Sequence, residues 1–146
     1  TATVYTVGYG NRQFDDLMAR VPADAVIVDV RAHPHSAWCS AYTSTKLTEH
    51  LNAGDPAIHG RQWNYDRYRS MTALGNVSGN AETWESPRPL QMPACIDWII
   101  NTLLDGVDVV LLCAEAKHQR CHRRLVAEMI DETAADVGLP VSIVHL

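Results

Sequence analysis

The sequence is short of basic residues. Its 12 lysines and arginines face 17 aspartates and glutamates, and the resulting net charge of −5 argues against a broad surface for duplex DNA. A local basic site for one phosphate-bearing ligand is compatible with this balance. The first residues lack a charged segment followed by a long apolar run, and no stretch is long enough to span a membrane. We therefore expect no signal peptide, no membrane partner and a cytoplasmic location.

The chain also lacks the features of a disulfide framework or of several domains. Its four cysteines come without a secretory signal, so we expect free thiols in a reducing compartment. A length of 146 residues fits one domain over 1–146, and no internal repeat or low-complexity segment divides it. The stretch over about 55–91 has glycines, prolines and no sustained period, so it is predicted to be irregular. The oligomeric state is left open.

The sequence does contain apolar strands that alternate with amphipathic helices. Strands are predicted at Thr3–Gly10, Ala25–Val30, Val107–Ala114 and Val141–Leu146, with helices near 14–21, 44–54, 93–106 and 120–137. This alternation predicts an α/β fold, a three-layer sandwich with a mostly parallel sheet that is Rossmann-like. Ligands of such folds bind at the carboxyl ends of the strands. The segments expected to form a site are therefore 8–12, 29–35 and 113–123.

Reactive side chains are concentrated in the stretch LLCAEAKHQRCHRRLV, residues 111–126. Cys113 ends a buried strand, where it is either a nucleophile above a loop of backbone N–H groups or a packed thiol. Glu115 follows two residues later and can share its face. This carboxylate could orient a histidine, pair with an arginine or act as a general base.

The helix predicted over 120–137 places His122 on its buried face, near the end of the sheet. Cys121 and Arg123 flank this histidine, and Arg124 is expected to point to solvent. A helix N-terminus attracts anions and lowers the pKa of a nearby thiol, which would favour a reactive Cys121. The alternative is a hydrogen-bonded core histidine beside a small buried thiol.

Two further segments carry polar residues at strand ends. Asp29 and Arg31 alternate and so share a face, where they either bind a ligand or form a structural ion pair. In GYGNR, residues 8–12, Gly8 and Gly10 allow close backbone approach to a ligand, and Tyr9 either stacks on a base or covers the sheet end. This segment is not the G-x-G-x-x-G dinucleotide fingerprint.

Three known kinds of site match only in part. Six residues separate Cys113 from Arg120, one more than in a phosphatase loop, and VDVR at 28–31 resembles a rhodanese strand without the matching cysteine loop. Zinc has possible ligands in Cys113, Cys121 and His122, with Cys39 as a fourth. However, neighbouring ligands on a helix diverge, and the usual paired C-x₂₋₄-C knuckle is absent. No metal is predicted.

Together these motifs resemble the bacterial and archaeal family known as domain of unknown function 488. The matching pieces are TVGYGNR, VDVRAHPHS, LLCAE followed by CHRR, and VSIVHL, in that order along nearly the whole chain. The resemblance implies that the family's characteristic polar residues fall on Gly8, Asp29, Arg31, Cys113, Glu115, Cys121, His122 and Arg123. The family often has Leu-Gly-Gly where this chain has Leu74-Gly75-Asn76, and Cys39 is not part of its pattern. The resemblance implies a shared fold and site, and no established reaction.

We predict an enzyme that acts on a nucleotide, a nucleic-acid base or another phosphate-bearing ligand, with no cofactor. Its partner would be a phosphate-bearing small molecule or a nucleic acid. Arg31 and Arg123 would hold the anionic group, Glu115 and His122 would move protons, and one of the two thiols, Cys113 or Cys121, would be a nucleophile or redox group. The alternative is a non-catalytic nucleotide- or anion-binding or sensing module. A rhodanese- or phosphatase-like thiol enzyme is a lesser alternative.

Overall fold

A computed structural model describes residues 2–10, 12–36, 39–52, 67–115 and 121–146. Five strands form one sheet, and they are β1 (Ala2–Gly8), β2 (Ala25–Asp29), β3 (Tyr68–Ser70), β4 (Asp108–Cys113) and β5 (Val141–His145). The α-helices of the described residues are α1 (Phe14–Arg20), α2 (Ser44–Asn52), α3 (Met92–Leu104) and α4 (Arg123–Asp136). Short 3₁₀ turns lie at 40–42, 72–74 and 89–91.

The strand order is β3-β2-β4-β1-β5, and every neighbouring pair is parallel. All carboxyl ends therefore lie along one edge of the sheet. Gly8 of β1 is in register with Cys113 of β4, and Asp29 of β2 is in register with Leu112. β4 lies between β2 and β1, whereas the usual dinucleotide-binding order makes the first two strands neighbours. Three predicted site segments thus meet at adjacent strand ends.

Two apolar clusters cover opposite faces of the sheet because strand side chains alternate in direction. In β4, Val109 and Leu111 belong to the cluster with α3 and α4, whereas Val110 and Leu112 belong to the cluster with α1 and α2. Full burial of each such side chain contributes about 1.5–3 kcal/mol. A sheet buried on both faces explains why its central strands are continuous apolar runs. The predicted α/β fold with a mostly parallel sheet is confirmed, and every strand pair described is parallel.

The short edge strand β3 falls inside the segment that the sequence predicts to be irregular. Only Tyr68 of this strand is buried, while Arg69 and Ser70 are exposed. One buried residue in three gives no period that sequence patterns can detect. The first part of that irregular segment, 55–66, lies outside the described residues.

The helices also differ from prediction at their ends. α4 begins at Arg123 rather than at residue 120, and residues 116–120 lie outside the described part of the chain. Gly106 ends the α3 segment as expected, because its φ of 84° suits glycine. Among the described residues, no helix combines the length and the apolar character needed to cross a membrane.

Candidate functional site

A cavity of about 370 Å³ opens at the carboxyl ends of β1, β2 and β4. Six of the ten residues predicted for the site line it: Tyr9, Arg31, Cys113, Glu115, Cys121 and His122. The other four, Gly8, Gly10, Asp29 and Arg123, do not line it. The topology explains this convergence, because these segments follow strands that are neighbours in the sheet.

The two thiols of the cavity lie against each other. Cys113 ends β4 and Cys121 precedes α4, and their Sγ atoms are 2.6 Å apart within a shared hydrogen bond. Both cysteines are free, with only 7% and 3% of their surface exposed. This separation is longer than the roughly 2.05 Å of a disulfide bond. The two sulfur atoms are therefore in direct contact without a covalent bond between them.

The surroundings of the thiols separate their pKa values. The hydrogen bond with Cys113 lowers the pKa of Cys121 to about 4, with further help from His122 and from the backbone N–H of Arg123, although burial opposes the change. The hydrogen bond with Cys121 and burial raise the pKa of Cys113 well above its ordinary value. These opposite shifts make Cys121 the more acidic thiol of the pair.

His122 is buried and faces the sheet end, as the sequence predicts. Its Nε2 lies 3.0 Å from the carbonyl oxygen of Val30 and 2.7 Å from that of Leu74. Because carbonyl oxygens only accept hydrogen bonds, we assign a proton to Nε2. In the neutral ring Nδ1 then carries the lone pair, and it lies 3.7 Å from Sγ of Cys121.

Arg31 is held by a buried ion pair with Asp29. Its Nε donates to Oδ1 at 2.8 Å and its Nη2 to Oδ2 at 2.6 Å, and the hydroxyl of Tyr68 also donates to Oδ2. Burial alone would lower the pKa of Arg31, but the carboxylate of Asp29 raises it above its ordinary value, so the guanidinium stays charged. Asp29 is completely buried and lies behind the cavity wall. Asp29 is therefore in the position of a structural ion-pair partner that holds Arg31 in place.

The ion pair with Asp29 occupies two nitrogens of this guanidinium and leaves the third. Nη1 of Arg31 is buried and has no hydrogen-bond partner among the described residues. Arg31 lines the cavity although only 5% of its surface is exposed. A buried charged donor without an acceptor is costly, by about 1–3 kcal/mol or more. An anion in the cavity would supply that acceptor.

Tyr9 packs beside Arg31 in the wall of the cavity. Its ring stacks on Tyr42 with centroids 4.1 Å apart, and Cζ of Arg31 lies 5.5 Å from its centroid. The structure therefore places the predicted base-stacking residue in an aromatic pair of the protein itself. Such pairs contribute about 0.5–1.5 kcal/mol beyond their buried area.

Gly8 and Arg123 build the turn that follows β4. A Cβ at Gly8 would lie 1.5 Å from the carbonyl oxygen of Glu115, so only glycine fits there. The same oxygen accepts a hydrogen bond from Nη1 of Arg123, which is completely buried. Gly10 has a φ of 46°, and its N–H donates to the carbonyl oxygen of Ala114 at 2.7 Å. Gly8, Gly10 and Arg123 therefore hold the residues after β4 in place through contacts with Ala114 and Glu115. None of the three, Arg123 included, lines the cavity.

The outer wall combines the end of the predicted site segment 29–35 with a segment that the sequence did not place in the site. It is formed by His33 and His35, which are exposed, and by part of the segment 76–81. Asn76 organises that segment, since its Oδ1 accepts hydrogen bonds from two backbone N–H groups and its Nδ2 donates to a third residue's carbonyl oxygen. No sequence period reveals such a loop, because asparagine–backbone contacts follow no regular spacing.

Arg124 is only partly exposed, in contrast to the predicted solvent position. Its Nη2 lies 2.8 Å from Oε2 of Glu82, so it links α4 to the segment around the outer wall. Trp84 joins the same segment to the body of the protein, because its Nε1 donates to the carbonyl oxygen of Gly75 at 2.9 Å. The phosphatase-like spacing from Cys113 to Arg120 falls on 116–120, outside the described residues.

The family model described as domain of unknown function DUF488 matches residues 13–130. The chain therefore belongs to that family. The match includes β2, β4 and the start of α4, and so most of the residues that line the cavity. Gly8, Tyr9 and Gly10 precede the matched residues, and β5 follows them. No curated protein and no solved structure matches the chain.

Proposed function

We propose that this member of the domain of unknown function 488 family is a thiol-dependent enzyme that acts on a small phosphate-bearing ligand, such as a nucleotide. The observation that carries the proposal is one cavity that holds both a Cys–His pair and a buried arginine with an unsatisfied nitrogen. The first group suits attack on an electrophile, and the second suits an anion.

Arg31 would bind the anionic group. Asp29 fixes two of its nitrogens, so the guanidinium is already oriented before a ligand arrives. An anionic oxygen bound to Nη1 makes a charge-assisted hydrogen bond, which is about twice as strong as a neutral one. The cavity volume lies at the lower end of the roughly 300–1,000 Å³ usual for small-molecule sites. A mononucleotide or a smaller phosphate ester suits that space better than a nucleic-acid duplex.

Cys121 would be the nucleophile. Its Sγ forms a bond to the electrophilic centre of the ligand, and the leaving group departs with the bonding electron pair. The thiol of Cys113, 2.6 Å from the attacking sulfur, can give its proton to the leaving group. Water then displaces the sulfur as the thiolate, while Glu115 on the cavity wall accepts a proton from that water and passes it back to Cys113, which restores the starting pair. His122 lies beside the thiolate, with its Nδ1 3.7 Å from Sγ.

Alkylation with iodoacetamide tests this proposal on the reduced chain in the presence of a metal chelator. We expect Cys121 to be modified at least about ten times faster than Cys95, located by mass spectrometry of peptides, because a thiolate is the reactive form. Cys95 is a matched internal reference, since burial raises its pKa and it lies outside the cavity. Inorganic phosphate or adenosine monophosphate should slow the reaction of Cys121 only.

The variant Arg31→Gln should lose this protection. Equal reaction rates for Cys121 and Cys95, with no protection by either anion, would contradict the proposal. Protection of a thiol that is itself unreactive would instead favour a non-catalytic anion-binding module. Near-complete burial of both cavity thiols is the observation that favours this second function.

A further inference from the structure

We propose that Cys113, Cys121 and His122 form a binding site for a soft divalent cation, Zn²⁺, in the wall of the cavity. Their ligand atoms all lie within 4.8 Å of one another, and all three side chains are buried. The inference rests on the proposed function, because it uses the same two thiols. It adds a second state in which the metal is bound to the sulfur of the nucleophile, Cys121. Zinc would then be a reversible inhibitor.

The histidine has the hydrogen bonds of a metal ligand. A metal-bound imidazole usually donates its other ring N–H to a carboxylate or a backbone carbonyl, which fixes its orientation. In this chain Nε2 of His122 contacts two such carbonyls, those of Val30 and Leu74. Only Nδ1 then has a lone pair that can coordinate a metal, and this atom faces Cys121.

The distances fit tetrahedral coordination after one small movement. Zn–S bonds of about 2.3 Å and a Zn–N bond of about 2.0 Å separate a sulfur from a nitrogen ligand by roughly 3.5 Å. The observed distance from Sγ of Cys121 to Nδ1 of His122 is 3.7 Å. Two sulfur ligands should be roughly 3.8 Å apart, so the thiols have to separate by about 1 Å on binding. On binding, Cys113 would have to make this movement by rotation about its Cα–Cβ bond.

The residues around the thiols favour a soft cation over a hard one. Two thiolates and a neutral imidazole cancel the charge of a dication, which matters at a buried position. Thiolate and imidazole ligands select zinc and related metals, whereas magnesium and calcium require oxygen ligands. Neighbouring ligands on a helix are expected to diverge. Cys121 and His122 instead precede the first residue of α4, Arg123, and the turn there brings them together.

The site offers three protein ligands among the described residues, and all three line the cavity, so a fourth position would open to it. Zinc sites with three protein ligands keep the fourth position for water or a substrate, whereas structural sites have four. Here the open position adjoins the cavity that Arg31 lines. Zinc at this position occupies the sulfur of Cys121 and prevents its alkylation.

Titration of the reduced, chelator-treated chain with Co²⁺ and then Zn²⁺ tests the inference. We expect one equivalent of Co²⁺ to bind with thiolate-to-cobalt charge-transfer absorption in the near ultraviolet, and Zn²⁺ to displace it. Cys121→Ser and His122→Asn each remove a ligand, so each should weaken zinc binding by more than the roughly 10-fold that loss of an outer-shell partner typically costs. Cys95→Ser is the matched control and should bind zinc as the unaltered chain does. Near-ultraviolet circular dichroism checks that each variant is folded.

A measurement on the unaltered chain covers the case of a misfolded variant. Stoichiometric zinc should protect Cys121 from iodoacetamide and leave the rate at Cys95 unchanged. Absence of a one-to-one complex, or zinc affinity that Cys121→Ser leaves unchanged, overturns the inference. Fast alkylation in chelator without any zinc binding would leave the proposed function standing alone. Zinc binding to a chain whose Cys121 is unreactive without metal would support this site and refute the thiol enzyme.

Discussion

Two hollows of the molecule each hold a cysteine and an arginine, but the partners of these residues differ between them. The larger, about 660 Å³, lies beside β3 and α3 and contains Cys95, Arg69 and Trp98. There the guanidinium of Arg69 lies 4.7 Å from the Trp98 ring centroid, and burial raises the pKa of Cys95. In the smaller cavity, a carboxylate holds the arginine and a second thiol lowers the pKa of its neighbour. Partners, rather than volume or residue type, distinguish the two hollows.

The largest effect should come from removing the carboxylate that orients the cavity arginine. Asp29→Asn leaves the guanidinium of Arg31 buried without a counter-charge, which should lower the free energy of unfolding by about 3–5 kcal/mol. Urea denaturation measures this loss. Asp108→Asn is the matched control at the amino ends of the strands, where, among the described residues, its Oδ1 accepts a hydrogen bond from the backbone N–H of Thr3. Equal losses in the two variants would show that the buried ion pair contributes no more to the free energy of unfolding than the single hydrogen bond of Asp108.

A smaller effect should follow from filling the space at Gly8. The added methyl group of Gly8→Ala meets the carbonyl of Glu115 and displaces the turn after β4, which should cost about 1–3 kcal/mol in unfolding free energy. Because this turn carries one wall of the cavity, protection of Cys121 by phosphate should also weaken. A variant with the stability and the phosphate protection of the unaltered chain would show that the turn can move freely.

The smallest effect is expected in the second hollow. Arg69→Ala removes the contact with Trp98 and should cost about 0.5–1 kcal/mol, because Arg69 is exposed. Thermal or urea unfolding gives the difference. Phosphate protection and zinc binding at Cys121 should stay unchanged. A loss of either property would show that the two hollows are coupled, and the contrast between them would fail.

Sequence patterns located the strand ends well, because a buried parallel strand requires a continuous apolar run. Cys113 and His122 could be placed from such patterns, one at the end of a run and the other on a helical face. The role of Arg123 could not, since its contact with the Glu115 carbonyl depends on how β1 and β4 pair. β3 and the loop around Asn76 were missed for a related reason. Single buried residues and side-chain contacts to the backbone leave no periodic signal.

The insertion of β4 between β1 and β2 also has a consequence for how the chain is synthesised. Val4 pairs with Val109, so β1 has no sheet partner until more than a hundred residues have left the ribosome. Contacts this distant in sequence slow folding and leave apolar strands exposed meanwhile. Arg31 is made long before Cys113 and Cys121, and no amino-terminal fragment ending before β4 contains the cavity. The cavity can therefore assemble only after β4 and the start of α4 have been synthesised, which is late in the folding of each chain.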